Sequence, residues 1–365
     1  MKILHVVGAR PNFMKTAPIF SEMARYPEHF RQVLVHTGQH YDDNMSAIFF
    51  KDLGLQFPDE SLSVGSGTHA EQTARVLLAF EPVVLKYRPD WVMVVGDVNS
   101  TFACALVCAK LGVPVAHVEA GLRSGDRTMP EEVNRILTDQ ISDLLFTPSQ
   151  DAARNLLREG IASDKIHFVG NVMIDTLVQL LPSASNESLL RRLELKPRQY
   201  ILATLHRPSN VDVVATLREI LTALTNVSEK WPVVFPVHPR TRERIGHLGI
   251  PLGPKVRVLE PLGYLDFLTL MRSAGMVLTD SGGIQEETAY LRIPCLTARS
   301  HTERPITIEQ GTNRLVASTC QAITRAIHEA MLGGPSTGSV PPLWDGHAAK
   351  RIVQVMSDRI QALGS

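Results

Sequence analysis

Several features that would assign this chain to a specialised class are missing from its sequence. No apolar run approaches the roughly 18 residues of a membrane-spanning helix. The 37 Lys and Arg residues balance the 37 Asp and Glu residues, so neither a nucleic acid nor a membrane surface is expected as a partner. There is no G-x-G-x-x-G, no P-loop lysine motif and no G-x-S-x-G elbow after a predicted strand. The usual dinucleotide-binding, P-loop nucleotidase and serine hydrolase interpretations therefore lack support.

The four cysteines, Cys104, Cys108, Cys295 and Cys320, include no C-x-x-C pair. The first two lie at helical spacing in an apolar segment, so we interpret them as buried free thiols, which fits a reducing compartment. Met1 is followed directly by a predicted strand, without the basic and apolar regions of a signal peptide. We therefore expect a cytoplasmic protein.

Short apolar runs alternate with longer helical patterns, which predicts βαβ units and parallel sheets covered by helices on both faces. At 365 residues the chain is too long for one typical compact core, so we expect two α/β domains with a cleft between them. The predicted strands form two series, at 3–7, 32–36, 91–95, 113–118, 144–147 and 166–169, and at 200–205, 233–237, 256–259, 276–279, 294–297 and 314–316.

We place a first Rossmann-like domain at residues 1–170 and a second one at residues 171–346. The segment 170–186 is the best candidate for a linker between them. A Gly/Pro/Ser-rich stretch at 333–342 precedes a final helical segment at 347–365, for which we expect a return to the first domain.

In the second series, one predicted strand ends in a tight turn at 280–283, and a helix is predicted at 284–291. Glycines at a helix start allow close approach to the backbone, and the first-turn N–H groups favour an anion such as phosphate. Glu286 and Glu287 in the same first turn would repel phosphate unless a carboxylate turned to a ribose hydroxyl, so the turn suggests a nucleotide. In the alternative, Ser281 only caps the helix.

Ligands of parallel α/β sheets bind beyond the carboxyl ends of the strands, where this chain is unusually polar. Asp97 and Glu119 directly follow two strands of the first series, and Glu131 opens the next helix. Carboxylates crowded together can divide into acid and base, as proton transfer at carbon requires. In the alternative interpretation each one caps a helix or pairs with a nearby cation, Arg10, Lys15 or Arg123.

A divalent metal is a competing use for Asp97, His117, Glu119 and His206. No H-E-x-x-H, H-x-H or D-x-D-x-D spacing occurs, so the sequence does not favour a metal. Other side chains at the strand ends suit a nucleotide instead. Histidines could donate to phosphate, and cations could neutralise a diphosphate. An aromatic ring could stack on a base, although an aromatic residue at helical spacing more often belongs to the hydrophobic core. These residues are His206, His238, Arg10, Lys15, Arg304 and Phe267.

Eight motifs in this order are more specific than any one of them. They lie at 8–11 with Lys15, 96–97, 117–123, 130–135, 206–207, 236–238, 279–287 and 302–305. Together they closely resemble the motifs of the non-hydrolysing UDP-N-acetylglucosamine 2-epimerases, and the resemblance runs from residue 2 to about residue 317.

The resemblance implies a GT-B-like fold whose final helix returns to the first domain, a homodimer, and no metal or redox cofactor. It implies interconversion of UDP-N-acetylglucosamine and UDP-N-acetylmannosamine, in which UDP is eliminated as the C2 proton leaves and is then added back to a bound glucal. An unactivated C–H is a poor acid, so its loss must be coupled to the departure of a good leaving group.

The resemblance also implies roles for single residues. The acid/base carboxylates would be Asp97, Glu119 and Glu131, with Lys15 and His206 as essential neighbours of the sugar and diphosphate. Phosphate contacts would come from Arg10, Ser281, Gly282 and Gly283, the ribose contact from Glu287, the uracil contact from Phe267, and a sugar or phosphate contact from Arg304.

Two departures from the family pattern concern a regulatory second substrate site. Many bacterial members carry Gln-His-Arg followed by Gln or Glu where this chain has Gln-His-Tyr-Asp at 39–42, and His-Arg-Arg where it has His-Arg-Pro at 206–208. Three residues of that site, Gln39, Arg207 and His238, are present. The Gln-His-Tyr-Asp form is similar to that of relatives acting on oxidised diacetamido UDP sugars.

Three other functions fit the same motifs. One is the hydrolysing relative, which releases N-acetylmannosamine and UDP. A second is a GT-B glycosyltransferase. A third, outside enzymes, is a UDP-sugar-binding regulator that has lost catalysis.

Overall fold

The computed structural model describes residues 1–38, 53–333 and 338–363, and the chain divides into two compact units. Unit 1 comprises Met1–Thr176 together with Pro342–Ser365, and unit 2 comprises Leu177–Pro341. Each unit contains one parallel sheet, of seven strands in unit 1 and six in unit 2. The prediction of two parallel-sheet α/β domains is confirmed.

The unit 1 sheet has the strand order β3-β2-β1-β4-β5-β6-β7. Apart from the edge strand β3, its strands are mainly apolar, and alternate residues enter separate hydrophobic clusters on the two faces of the sheet, as Ile3 and Leu4 do. The strands are β1 (Lys2–Val7), β2 (Arg31–His36), β3 (Glu60–Ser61), β4 (Trp91–Val95), β5 (Val115–Val118), β6 (Leu144–Thr147) and β7 (Ile166–Phe168).

Six helices follow these strands along the chain. The boundary between the units falls inside the sixth helix, at Thr176 and Leu177, so the segment predicted as a linker is largely helical. The helices are α1 (Arg10–Met23), α2 (His69–Tyr87), α3 (Asn99–Leu111), α4 (Pro130–Ile141), α5 (Gln150–Arg158) and α6 (Val172–Leu180).

The unit 2 sheet has the strand order β10-β9-β8-β11-β12-β13. Its strands are β8 (Ile201–Thr204), β9 (Val233–Pro236), β10 (Val256–Leu259), β11 (Met276–Thr279), β12 (Cys295–Ala298) and β13 (Asn313–Val316). Its helices are α7 (Glu187–Arg192), α8 (Pro208–Val211), α9 (Val214–Ser228), α10 (Pro239–Leu248), α11 (Tyr264–Ser273), α12 (Gly282–Leu291), α13 (Ile306–Glu309) and α14 (Cys320–Leu332).

Both sheets reverse their strand order once, between β1 and β4 in unit 1 and between β8 and β11 in unit 2. At such a switch point the connections leave in opposite directions and open a crevice at the carboxyl ends of the strands. Residues predicted to carry chemistry follow β1, β4 and β5 in unit 1 and β8, β9, β11 and β12 in unit 2.

The last helix, α15 (Ala348–Leu363), belongs to unit 1, as predicted. The Asp175 carboxylate accepts hydrogen bonds from the N–H groups of Ala348 (3.1 Å) and Ala349 (2.7 Å) and so caps the start of this helix. Ile352 and Met356 are fully buried in the same hydrophobic cluster as the sheet. The C-terminal segment therefore completes the core of unit 1.

The twelve predicted strands are present with small shifts at their ends, and among the strands in the described residues only the two-residue edge strand β3 was not predicted. Such a short strand carries no periodic signal. Helix α12 begins at Gly282, two residues before the predicted start. Within the described ranges, no helix has both the length and the apolar character that crossing a bilayer would need.

Candidate functional site

Asp97 follows β4 at the switch point of unit 1, and α4 holds it from one side. The Arg135 guanidinium donates to Asp97 Oδ2 through Nε (3.0 Å) and Nη2 (2.6 Å). The Asn134 side chain donates to the Asp97 carbonyl at 3.0 Å. The carboxylate is thus oriented while its side chain stays 23% exposed, so it can reach a ligand.

Glu119 follows β5 and is buried in an ion pair with Lys15 of α1. Its φ is +72°, a left-handed conformation that is costly for a residue with a Cβ and recurs at functional sites. A Cβ built on Gly96 would lie 2.9 Å from Lys15 Nζ, so the lysine passes close over the backbone at the end of β4. One cation therefore lies beside the ends of both strands that carry a predicted catalytic carboxylate.

Glu131, the third predicted carboxylate, differs from the other two. It is exposed in the first turn of α4, after Pro130, and within the described part of the chain it makes no hydrogen bond or ion pair. Of the cations that the alternative interpretation names, Lys15 pairs with Glu119. Asp97 pairs instead with Arg135, and Glu131 has no such partner in the described part of the chain.

Helix α4 buries charge instead of apolar side chains. Glu132, Arg135 and Asp139 are 1–3% exposed, whereas Val133 and Leu137 are each 41% exposed. Charged residues at i, i+3 and i+7 are also what a solvent-facing side of a helix carries, so the sequence held no signal that this face is buried.

Glu132 on the buried face of α4 connects the helix to the loop that precedes it. Its carboxylate accepts from the N–H groups of Ser124 and Gly125 at 2.9–3.0 Å and from Arg135 Nη1 at 2.7 Å. Burial alone would raise the pKa of Glu132, but these donors outweigh it and hold the pKa below its usual range. The loop before α4 is thereby tied to the helix that carries Glu131.

Asp280, the first residue of the 280–283 turn, anchors the switch point of unit 2. Its fully buried carboxylate accepts from the N–H groups of His206 (3.1 Å) and Arg207 (3.0 Å) and from the Asn210 side chain (3.0 Å). Burial opposes ionisation, yet these donors and the His206 ring lower the pKa of Asp280. The end of β11 therefore fixes the loop that follows β8.

His206 projects from that loop. Its Nδ1 lies 2.8 Å from Asp280 Oδ1, while the side chain remains 60% exposed. The buried carboxylate orients the ring, which leaves the rest of the imidazole available to a ligand.

The start of α12 corrects two expectations. Ser281 is at the N-cap position, but its side chain makes no capping hydrogen bond, so the alternative in which it only caps the helix is wrong. Because the helix begins at Gly282, Glu286 and Glu287 lie beyond its first turn, where both are buried. They therefore do not crowd the N–H groups of the first turn.

Gly282 allows another group to pack closely against the backbone, as predicted for a phosphate. In the structure the group that does so is the guanidinium of Arg304. A Cβ at this position would collide with Arg304 Nη1 and lie 2.9 Å from Glu303 Oε1. Arg304 itself pairs with Glu286 through Nε and with Glu303 through Nη1, both at 2.6 Å. A buried cluster of charges thus packs against the start of α12.

Arg207 connects this cluster to the His206 loop. Its Nε donates to the Asp280 carbonyl at 3.1 Å, and its Nη2 lies 3.7 Å from Glu303 Oε1. This predicted regulatory residue is therefore part of the same structure as the 280–283 turn. His238, the second one, is exposed after β9, and Gln39 lies outside the described residues.

Glu287 is buried and accepts a hydrogen bond from the Tyr264 hydroxyl at 2.6 Å. Burial raises the pKa of Glu287 to about 7, the neighbouring Glu286 acts in the same direction, and Tyr264 opposes them. The group therefore changes charge near neutral pH. Phe267, the predicted base contact, is half-buried on α11.

Arg10 opens α1, but its side chain lies outside the described residues. Among the residues that the structure describes, no three His, Cys, Asp or Glu side chains are grouped so that they could hold a metal ion.

Comparison with known proteins gives a consistent result. The family model described as UDP-N-acetylglucosamine 2-epimerase matches residues 22–357. A Methanococcus maripaludis protein named UDP-N-acetylglucosamine 2-epimerase is 41% identical over 364 residues, covering 97% of this chain and 98% of that protein. A Pseudomonas aeruginosa protein named UDP-2,3-diacetamido-2,3-dideoxy-D-glucuronate 2-epimerase is 42% identical over 360 residues, covering 98% and 99%.

A solved structure is also similar along its whole length. The crystal structure of Methanocaldococcus jannaschii UDP-GlcNAc 2-epimerase in complex with UDP-GlcNAc and UDP has a TM-score of 0.89 and 41% sequence identity to this chain. The match covers 98% of this chain and 99% of that one.

The buried Lys15–Glu119 pair leads to a prediction about stability. Lys15→Met should lower the free energy of unfolding by about 3–5 kcal/mol, because it leaves a buried carboxylate without its cation. The double variant Lys15→Met/Glu119→Gln should recover much of this loss, since no lone charge stays buried. Urea denaturation followed by circular dichroism measures both.

A matched control is the exposed pair of Lys165 and Asp143, whose charged atoms are 3.7 Å apart and whose side chains are 41% and 48% exposed. Lys165→Met should cost less than about 1 kcal/mol. A loss for Lys15→Met no larger than this would contradict a buried pair.

Proposed function

The chain belongs to the UDP-N-acetylglucosamine 2-epimerase family, and we propose from this membership and the site geometry that it interconverts UDP-N-acetylglucosamine and UDP-N-acetylmannosamine. The observation that carries the proposal is the pair of carboxylates, Asp97 and Glu119, at the ends of adjacent strands in unit 1 with Lys15 beside both ends. Proton transfer at a sugar carbon requires such preorganised acid and base groups.

The proposed reaction has two steps. A carboxylate removes the proton from C2 of the sugar while the bond from C1 to the UDP oxygen breaks, which forms a C1–C2 double bond and releases UDP within the site. A proton is then delivered to the opposite face of C2 as the UDP oxygen adds back to C1. No net proton or electron is consumed, and the product is the C2 epimer.

We assign the proton transfers to Asp97, Glu119 and Glu131. Arg135 would hold the carboxylate of Asp97 in place, and Lys15 would hold that of Glu119. Burying or half-burying a carboxylate without a cation would cost folding free energy. Glu131 is the one with no partner of its own among the described residues, which suits a group that must gain and lose a proton. Lys15 would also lie close to the reacting sugar.

We propose that unit 2 holds the UDP portion. The start of α12 at Ser281, Gly282 and Gly283 has no side-chain cap, and helix N-termini of this kind bind phosphate. His206, oriented by Asp280, would donate to the diphosphate. Arg10 would supply a further phosphate contact.

Three further contacts complete the assignment. Phe267 would contact uracil and Glu287 the ribose hydroxyls. Arg304 is already paired with Glu286 and Glu303, so its contact with sugar or phosphate would supply directed N–H donors and little net positive charge.

The epimerase proposal predicts isotope incorporation. In deuterated water, UDP-N-acetylglucosamine should give UDP-N-acetylmannosamine with deuterium at C2, measured by proton NMR. Asp97→Asn and Glu131→Gln should each lower kcat by about 10²- to 10⁴-fold, the usual contribution of a general acid or base. UDP affinity, measured by calorimetry, should change little. Asp358→Asn, an exposed carboxylate on α15, is the matched control and should retain full activity.

Other results of this assay would reject the epimerase function, reassign the substrate or indicate hydrolysis. Absence of C2 deuterium with both UDP-N-acetylglucosamine and the diacetamido glucuronate sugar named for the Pseudomonas relative would reject the epimerase proposal. Deuterated epimer from the second sugar alone would reassign the substrate. Free N-acetylmannosamine with UDP, and no UDP-linked product, would indicate a hydrolysing enzyme.

The pKa of Glu287 predicts how UDP binding depends on pH. As the pH rises from 6 to 8 through the pKa of about 7, Glu287 loses its proton and becomes a stronger acceptor for ribose hydroxyls. UDP affinity should therefore rise about fivefold, the difference between charged and neutral hydrogen bonds. Calorimetry of the wild type and Glu287→Gln separates this effect from titration of the phosphates, which both proteins share. Equal pH profiles would contradict the ribose assignment.

We propose further that the protein is a homodimer. Helix α2 exposes Leu78 (74%) and Leu85 (58%), which are seven residues apart and so lie on one face of the helix. Sedimentation should give twice the mass of one chain, and Leu78→Glu should give the mass of one chain. The matched control, Leu332→Glu on α14 of unit 2, removes a leucine that is 64% exposed and should leave the mass unchanged. A wild-type protein that sediments as a single chain would reject the dimer.

A further inference from the structure

Asp139 is a buried carboxylate in the interior of unit 1, and each of its oxygens has a polar partner. It has no place in the proposed proton transfers. It lies on the buried face of α4 and is 1% exposed. Its Oδ1 is 2.6 Å from His117 Nδ1, and its Oδ2 accepts from the Gly121 N–H at 3.1 Å and pairs with Arg123 Nη1 at 2.7 Å. A single carboxylate thus binds to both sides of Glu119.

His117 extends this connection to the neighbouring strand. It is fully buried in β5, and its Nε2 lies 2.8 Å from the Gly96 carbonyl. A carbonyl oxygen only accepts hydrogen bonds, so Nε2 carries a proton and donates it. Gly96 directly precedes Asp97, and the imidazole therefore ties the end of β4 to Asp139.

The position between His117 and Gly121 is the one that needs support. Glu119 has a φ of +72°, and a residue with a Cβ keeps such a conformation only when its surroundings hold it there. Its two next-nearest neighbours along the chain, His117 and Gly121, are both held by Asp139. The Glu119 N–H adds a hydrogen bond to the Phe146 carbonyl at 3.1 Å.

The charge of Asp139 is balanced locally. Arg123 pairs with Asp139 on one side and donates to Glu159 through Nε (2.7 Å) and Nη2 (2.6 Å) on the other. A buried carboxylate with this many donors is rigid, because any movement would leave one of the groups unpaired.

We propose that Asp139 is a positioning residue that acts through His117 and the backbone of residues 96 and 121 to set the placement of Asp97 and Glu119. The proposal rests on the proposed epimerase function. Without the carboxylate, the peptide at Glu119 is free to leave its strained conformation, and the Glu119 carboxylate moves relative to Lys15. Displacements of about 1 Å in a catalytic group can cost about 10²-fold in rate.

The test compares the wild type with Asp139→Asn in deuterated water. The kcat should fall by about 10- to 10²-fold while KM and UDP affinity change little. The informative quantity is the ratio, at low conversion, between C2 deuterium in the returned starting sugar and C2 deuterium in the epimer. Because Glu119 is displaced, proton transfer at one face of C2 should slow more than at the other, and this ratio should change by about threefold or more.

A loss of folded protein would lower both products equally and leave the ratio unchanged. Ile352→Ala, which opens a cavity in the same unit on α15, is the control for this effect and should lower stability with no change in the ratio. If Asp139→Asn does not fold, His117→Gln replaces it, since the amide can still donate to the Gly96 carbonyl but loses the link to Asp139. The ratio should shift in the same direction.

An unchanged ratio in the folded variant would overturn the proposal. A crystal structure of the variant tests it without any turnover: retention of φ near +72° and of the Lys15 contact at Glu119 would also overturn it, and relaxation of that peptide would support it. If the wild type forms no deuterated product from any UDP sugar, the epimerase function fails, and the crystal structure alone decides the role of Asp139.

Discussion

A charge can be buried in a protein only when another charge or a set of hydrogen-bond donors is buried with it, and this constraint shapes both units of the structure. The Lys15–Glu119 pair is its simplest form. Lys15 reaches that carboxylate from helix α1 by passing close to the end of β4, where residue 96 is a glycine and leaves room for it. Helix α4 then presents charged residues to the sheet. Each paired group restricts its neighbour, so the strand ends become rigid where a ligand would require fixed geometry.

The two units apply the same topology to different tasks. Both sheets have one switch point, and in both a carboxylate closes a strand beside it. Asp97 in unit 1 stays partly exposed, whereas Asp280 in unit 2 is fully buried and accepts hydrogen bonds from the neighbouring loop. Asp97 is therefore accessible to a ligand, whereas Asp280 holds the loop after β8 in place.

The alternation of apolar runs was sufficient to predict nearly every strand and the division into two sheets, because parallel strands buried on both faces have a strong and simple pattern. The strand-end rule also brought Asp97, Glu119 and the 280–283 turn to attention. Partners of those residues were harder to predict. Arg135 and Asp139 lie on a helix whose polar face points inward, and sequence periodicity alone does not distinguish that face from a solvated one. The collision that makes Gly282 necessary involves Arg304, and only the fold shows that these residues meet.

Unit 1 is made from both ends of the chain, with the whole of unit 2 encoded between them. Asp175 caps a helix whose first residue is 173 positions further along, and Ile352 and Met356 fill a core that β1 begins. During synthesis, unit 2 is complete before the ribosome has supplied the last helix of unit 1. Until that helix packs on the sheet, part of the apolar surface of unit 1 is uncovered, and the contact that covers it joins residues far apart in the chain. The core of unit 1 is therefore closed by a segment that follows unit 2 along the chain.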